Sequence, residues 1–152
     1  MNIKYLYYII GFFILIYFDF LTKDLASRSL QNWWIDLING FLLLDLKLNT
    51  WIAFSLPLEW LLLKCITIFL IITIIIYFLK YELKKNNTFI YISFVLILAW
   101  AIWNWYERII NGYVIDFISV KYFSVFNLAD SYIFIWAIIY ILASNKILIN
   151  NK

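Results

Sequence analysis

The stretch 60-WLLLKCITIFLIITIIIYFL-79 holds a single charged residue, Lys64, in a run as long as a helix needs to cross a hydrocarbon core, roughly 20 residues. Its reading as a transmembrane helix decides the fold, because three other runs read the same way: Tyr5 to Leu21, Thr88 to Tyr106 and Ser131 to Ile149. The first, preceded by Lys4, has the look of a signal peptide, but no small-residue cleavage pattern follows cleanly, so it is expected to stay as a helix.

Composition agrees. Of 152 residues, 66% are hydrophobic and only 14% charged, against about half and a quarter in soluble domains. So apolar a chain keeps its backbone hydrogen bonds satisfied only inside a lipid-embedded bundle. The expected fold class is a mainly α membrane protein with four transmembrane helices, forming a single integral membrane domain over 1–152. No nucleic-acid partner is expected, and nothing requires more than a monomer.

Basic residues near helix ends stay on the cytoplasmic side. The connector 80-KYELKKNN-87 carries Lys80, Lys84 and Lys85, and the tails carry Lys4, Lys146 and Lys152. Both termini are therefore expected inside. That topology leaves Glu82 as the one cytoplasmic acid and sends Asp19, Asp24, Asp36, Asp45, Glu59, Glu107, Asp116 and Asp130 to the outer ends of the spans or beyond. Asp24, Asp36, Asp45 and Glu59 read as ordinary polar residues of outer loops.

Those outer connections carry β signals, over about 31–56 and 112–127. In 33-WWIDLINGFLLLDLKLN-49 the pair Asn39-Gly40 marks a hairpin turn, and Leu44 to Asn49 alternates with a period of two. Its polar face would carry Asp45, Lys47 and Asn49, while Trp33 and Trp34 suit the membrane interface. The stretch 112-GYVIDFISVKYFSVFN-127 is rich in β-branched and aromatic residues and predicts a second extended segment.

Absences narrow the chemistry. With no His, the Ser-His-Asp and Cys-His systems, His-bearing zinc sites and a His base are excluded. Cys65 lies in an apolar run and reads as packing, and three Gly leave no phosphate-cradling loop. The nine carboxylates are the reactive stock that remains. Asp19 and Lys23 are spaced i, i+4 and can form an ion pair that lowers the cost of both near the interface. Asn104, Glu107 and Arg108 form a polar cluster at the outer end of the third span.

Asp116 and Asp130 each lie in largely apolar stretches and are separated by one connection. Two poorly solvated carboxylates held close would share a proton, the ionised one activating water and the other polarising a carbonyl. The plainer reading makes Asp130 the N-cap of the fourth span.

Five stretches, 19-DFLTK-23, 49-NTWIAFS-55, 104-NWYER-108, 112-GYVIDF-117 and 126-FNLAD-130, together with the order of spans, resemble the bacterial lipoprotein signal peptidase (signal peptidase II) family over nearly the whole chain. The resemblance implies an intramembrane aspartyl endopeptidase of the bacterial inner membrane. Its substrate would be a diacylglyceryl-modified prolipoprotein, cleaved before the lipid-bearing Cys near the outer face without a cofactor. It also implies a four-helix bundle with a small extracytoplasmic β-cradle. Asp116 and Asp130 match the aspartyl dyad. Asn49, Asn104, Arg108 and Asn127 match residues that bind substrate or brace the site, and Asp19, Lys23 and Glu107 match structural or lipid-facing positions. Trp51, Trp100 and Trp103 stand where the family usually has Gly, and Glu107 where it usually has Asp, so a repacked substrate groove is expected. Two other readings stay open at this point: a relative that binds lipopeptides without cleaving them, and a small transport subunit. The latter would be expected to place polar residues through the midplane.

Overall fold

The computed structural model describes residues 3–50 and 60–150. Among these are four α-helices, α1 (Ile3–Ser29), α2 (Trp60–Tyr77), α3 (Thr88–Ile110) and α4 (Leu128–Asn150), and three strands, β1 (Ile35–Ile38), β2 (Leu42–Asn49) and β3 (Val114–Val120). The segments Tyr5–Ser29, Lys64–Lys85 and Thr88–Ile110 are long and apolar enough to cross a membrane, and α4 is apolar over Leu128–Ser144. Trp51, Glu59 and the 51–56 part of the expected β-rich segment lie outside the described residues.

The central helix is α3, which packs against α1, α2 and α4. Small residues make the close approach possible: Ala99 of α3 and Ala129 and Ala143 of α4 are all buried in the α3–α4 seam. Larger side chains, Ile90, Phe94, Leu96, Ile97 and Tyr132, fill the space on either side. The outward faces of α1 and α2 leave Phe13, Tyr17, Phe69 and Ile76 exposed, as helices in contact with hydrocarbon do. Between α2 and α3 the chain passes through a π-turn (Phe78–Glu82) and a 3-10 turn (Leu83–Lys85). Asn87 then caps α3 by accepting from the N–H groups of Phe89 and Ile90.

The sheet is antiparallel throughout, in the order β1-β2-β3. Its first hairpin turns at Asn39 and Gly40, whose φ values of 27° and 68° are both positive, as a type I′ turn demands. Phe41 N–H donates to the Ile38 carbonyl, and the Asp36 carboxylate accepts from Gly40 N–H. Gly112, at φ 80°, turns the chain from the end of α3 into β3. The sheet rests on the last turns of α1: Ala26 and Leu30 form a buried cluster with Phe117, packed by Leu44, Leu46 and Ile118. This explains why α1 continues to Ser29, past the expected Leu21. Its final turns are no longer uniformly apolar but still bury Ala26 under the sheet, and an exposed Arg28–Asp24 ion pair at 2.9 Å faces away.

Candidate active site

Chain reversal after β3 brings the two acids together. Phe126 forms an antiparallel bridge with Ile118: its N–H donates to the Ile118 carbonyl at 3.0 Å, and its carbonyl accepts from Ile118 N–H at 2.8 Å. Residues 126–127 are thereby laid back against β3, and α4 starts immediately afterwards. Asn127 occupies the N-cap. Its Oδ1 accepts from Asp130 N–H at 2.9 Å, and Asp130 Oδ2 accepts from Asn127 N–H at 3.0 Å, a reciprocal capping box. Asp130 is therefore not the N-cap; it stands three residues inside it, because the helix begins at Leu128 rather than at Ser131.

Asp116 is on β3, paired in register with Lys47 of β2, so that Asn49, two residues further along β2, is its diagonal neighbour on the same face. Asn49 Nδ2 donates to Asp116 Oδ2 at 2.8 Å, and Asn127 Nδ2 donates to Asp116 Oδ1 at 2.8 Å. Asn127 thus contacts both acids: its side-chain amide serves Asp116 and its capping groups hold Asp130. Asn104 makes a second link, accepting from Asn127 Nδ2 at 3.3 Å and donating to Asp130 Oδ1 at 3.2 Å. Trp100, one turn earlier on α3, donates its indole N–H to the same oxygen at 2.7 Å.

Asp116 is only 2% exposed. Burial pushes its carboxyl up to about 6, with the Asp130 charge adding to the rise and the amides of Asn49 and Asn127 opposing it. Arg108 places its guanidinium near this pair and donates Nη1–H to the Asn104 carbonyl at 3.3 Å.

Beneath the dyad lies a buried ionic cluster. Lys23 Nζ is 2.6 Å from Asp19 Oδ2, 2.6 Å from Glu107 Oε2 and 2.9 Å from Asn104 Oδ1. Asp19 Oδ1 in turn accepts from Ala129 N–H at 2.7 Å, so an acid on α1 satisfies a first-turn donor of α4. Of the structural or lipid-facing positions expected for Asp19, Lys23 and Glu107, the geometry here is that of a buried structural cluster. Their side chains are 0%, 2% and 7% exposed and point into the protein, where charges can find partners.

Sequence reading missed two contacts. Trp100 was legible only as bulk, although its i, i+4 spacing to Asn104 places both on one face. The Asp19–Ala129 bond joins residues 110 apart and has no local signal.

Trp103 points elsewhere. It stacks on Tyr106 and meets Phe20 edge to face, lining a groove of about 290 Å³ with Phe13, Ile16, Tyr17 and Phe20. Under the resemblance stated above, Trp103→Gly, which opens this groove, is expected to change the ratio of kcat/KM between precursors with large and small side chains by on the order of tenfold. Unchanged ratios across several precursors would remove the groove from substrate selection. Trp51→Gly is the parallel variant for a position outside the described residues.

The model for signal peptidase (SPase) II matches residues 11–146. The chain is 40% identical over 116 residues to the lipoprotein signal peptidase of Caldicellulosiruptor bescii, covering 76% of this chain and 75% of that protein. It is 35% identical over 149 residues to the lipoprotein signal peptidase of Francisella tularensis subsp. novicida, covering 93% and 92%. Its fold resembles a bacterial membrane enzyme solved in meso at 2.3 Å, with a TM-score of 0.81 at 27% identity over 95% of this chain and 91% of that one. A second in meso structure of a bacterial membrane enzyme, at 1.9 Å, gives 0.75 at 27% identity over 90% of each chain. With two carboxylates tied together by Asn127 at one end of an apolar helical framework, and matches of this extent, the chain belongs to the signal peptidase II family of aspartic proteases.

Proposed function

We propose that Asp116 and Asp130 are the paired acids with which this chain removes signal peptides from diacylglyceryl-modified prolipoproteins, cleaving before the lipidated Cys. The observation that carries this reading is Asn127, whose single side chain and N–H hold both carboxylates at once. Asp116, buried and pushed up to about 6, is suited to hold the shared proton. Asp130 takes a proton from water as the water oxygen bonds to the scissile carbonyl carbon, and Asp116 gives its proton to the carbonyl oxygen. When the C–N bond breaks, Asp130 returns a proton to the leaving amine and Asp116 recovers one from the hydroxyl of the tetrahedral intermediate. Both acids end as they began. Asn49, Asn104, Arg108 and Asn127 bind substrate or brace the acids, and Asp19, Lys23 and Glu107 hold the helices beneath them.

The same reading makes the chain one integral membrane domain of the bacterial inner membrane, acting as a monomer. Four helices cross the lipid and the three-stranded sheet forms an extracytoplasmic cradle. Support comes from direction. α1 and α3 run toward the dyad and α4 runs away from it, so the basic connector with Lys80, Lys84 and Lys85 falls at the opposite end, with the start of α1 and the end of α4. Basic segments stay cytoplasmic, which puts the acids near the outer face. A gel-shift assay tests the reading: purified protein in lipid is expected to process a diacylglyceryl-modified precursor and leave the unlipidated precursor intact. Equal processing of both would remove the lipid requirement. Stable retention of the lipopeptide without turnover would favour the binding-only relative.

A further inference from the structure

Trp100 has no counterpart among the polar residues of the site, yet its hydrogen bond to Asp130 at 2.7 Å is shorter than the 3.2 Å bond from Asn104 to the same oxygen. The ring is held on two sides: it packs on the cluster of Ile90, Phe94, Ile97 and Ala143 and on that of Leu96, Ala99, Ala129 and Tyr132, beside Trp136. A large rigid ring with two torsions, wedged in the α3–α4 seam, delivers its N–H to a fixed point at little entropic cost. The donor is also one-way. An indole N–H cannot accept, so a proton on Asp130 Oδ1 would face a donor rather than a partner. Asn127 N–H takes only one lone pair of Oδ2. Asp116 is held differently, by the side-chain amides of Asn49 and Asn127.

We infer that Trp100 is a positioning residue for hydrolysis, whose indole N–H fixes the Asp130 carboxylate through Oδ1, already shared with Asn104, and leaves the second lone pair of Oδ2 to take a proton from water. This rests on the assignment of Asp116 and Asp130 as the reacting pair. In a membrane-embedded site an apolar residue with one donor is well suited to the task, because it orients an acid without adding a charge or a second titrating group.

The test uses the full chain in lipid with a lipidated precursor, comparing wild type, Trp100→Phe, and a chain carrying the benzothienyl analogue of tryptophan at position 100. The analogue keeps the shape of the indole but has sulfur in place of N–H, so packing survives even if Phe leaves a void. Both are expected to lose about tenfold in kcat with KM unchanged, and the analogue to keep the wild-type melting temperature. Wild-type kcat in the analogue would overturn the inference, and so would a loss matched by an equal fall in melting temperature. Asp130→Asn, run in parallel, separates the two levels. If it is inactive while the analogue is fully active, only the role of Trp100 falls; if it is fully active, the dyad reading falls as well.

Discussion

Asp116→Asn is expected to abolish cleavage, lowering kcat/KM by about 10⁴-fold, and Asp130→Asn to do the same, because each removes one half of a proton-transfer pair. Both variants are expected to retain wild-type expression and helical content, so that the gel-shift assay reads chemistry rather than folding. Wild-type processing by either would refute the dyad. Asp116→Asn carries a second, opposite signature in stability. The carboxyl of Asp116 is raised from its ordinary 3.8 to about 6 in the folded protein, so folding favours the protonated acid. Its contribution to stability is fully present below pH 3.8, declines as pH rises, and is lost once pH passes about 6. The interval corresponds to about 3 kcal/mol. Asn cannot ionise, so the melting temperature of the variant relative to wild type is expected to climb between pH 4 and pH 7. A difference that stays flat over this range would show that burial does not strain the acid.

The parts of this fold legible in the sequence are those that local patterns specify. Asn39-Gly40 announces its turn because both residues accept positive φ, and they adopt 27° and 68°. Uniform apolar runs locate α2 and α3, since a helix satisfies its backbone in lipid within a single segment. Helix ends were harder, because a helix need not stop where hydropathy falls. α1 continues to Ser29 under the sheet, and α4 starts at Leu128. That second shift changes chemistry: a three-residue error in the helix start turned the inner member of an Asn-x-x-Asp capping box into an apparent cap. The ionic cluster was half legible. Asp19 and Lys23 are one turn apart, whereas Glu107 lies 84 residues away and is brought in only by the packing of α1 on α3.

That cluster is where a change outside the dyad has the largest expected effect on the fold. Lys23 is buried and meets two carboxylates and an amide oxygen at once. Lys23→Met would fill a similar volume but leave Asp19 and Glu107 as buried acids without their shared cation. Breaking a buried pair in this way costs about 3–5 kcal/mol, which in a chain of this size corresponds to a fall in melting temperature of on the order of 10 °C. The damage reaches the site through two bonds, since Asn104 loses its Lys23 donor and α4 depends on Asp19 at Ala129. Activity is therefore expected to fall together with stability, unlike in the dyad variants. Neutralising the acids separates charge from packing. Adding Asp19→Asn and Glu107→Gln to Lys23→Met removes the uncompensated charge, while Asn at position 19 retains an oxygen for the Ala129 N–H. The triple variant is expected to recover most of the lost stability, because a buried ionic group is costly to break and far less costly to replace as a whole. A Lys23→Met chain that melts within 2 °C of wild type would mean that water, rather than the two acids, compensates Lys23.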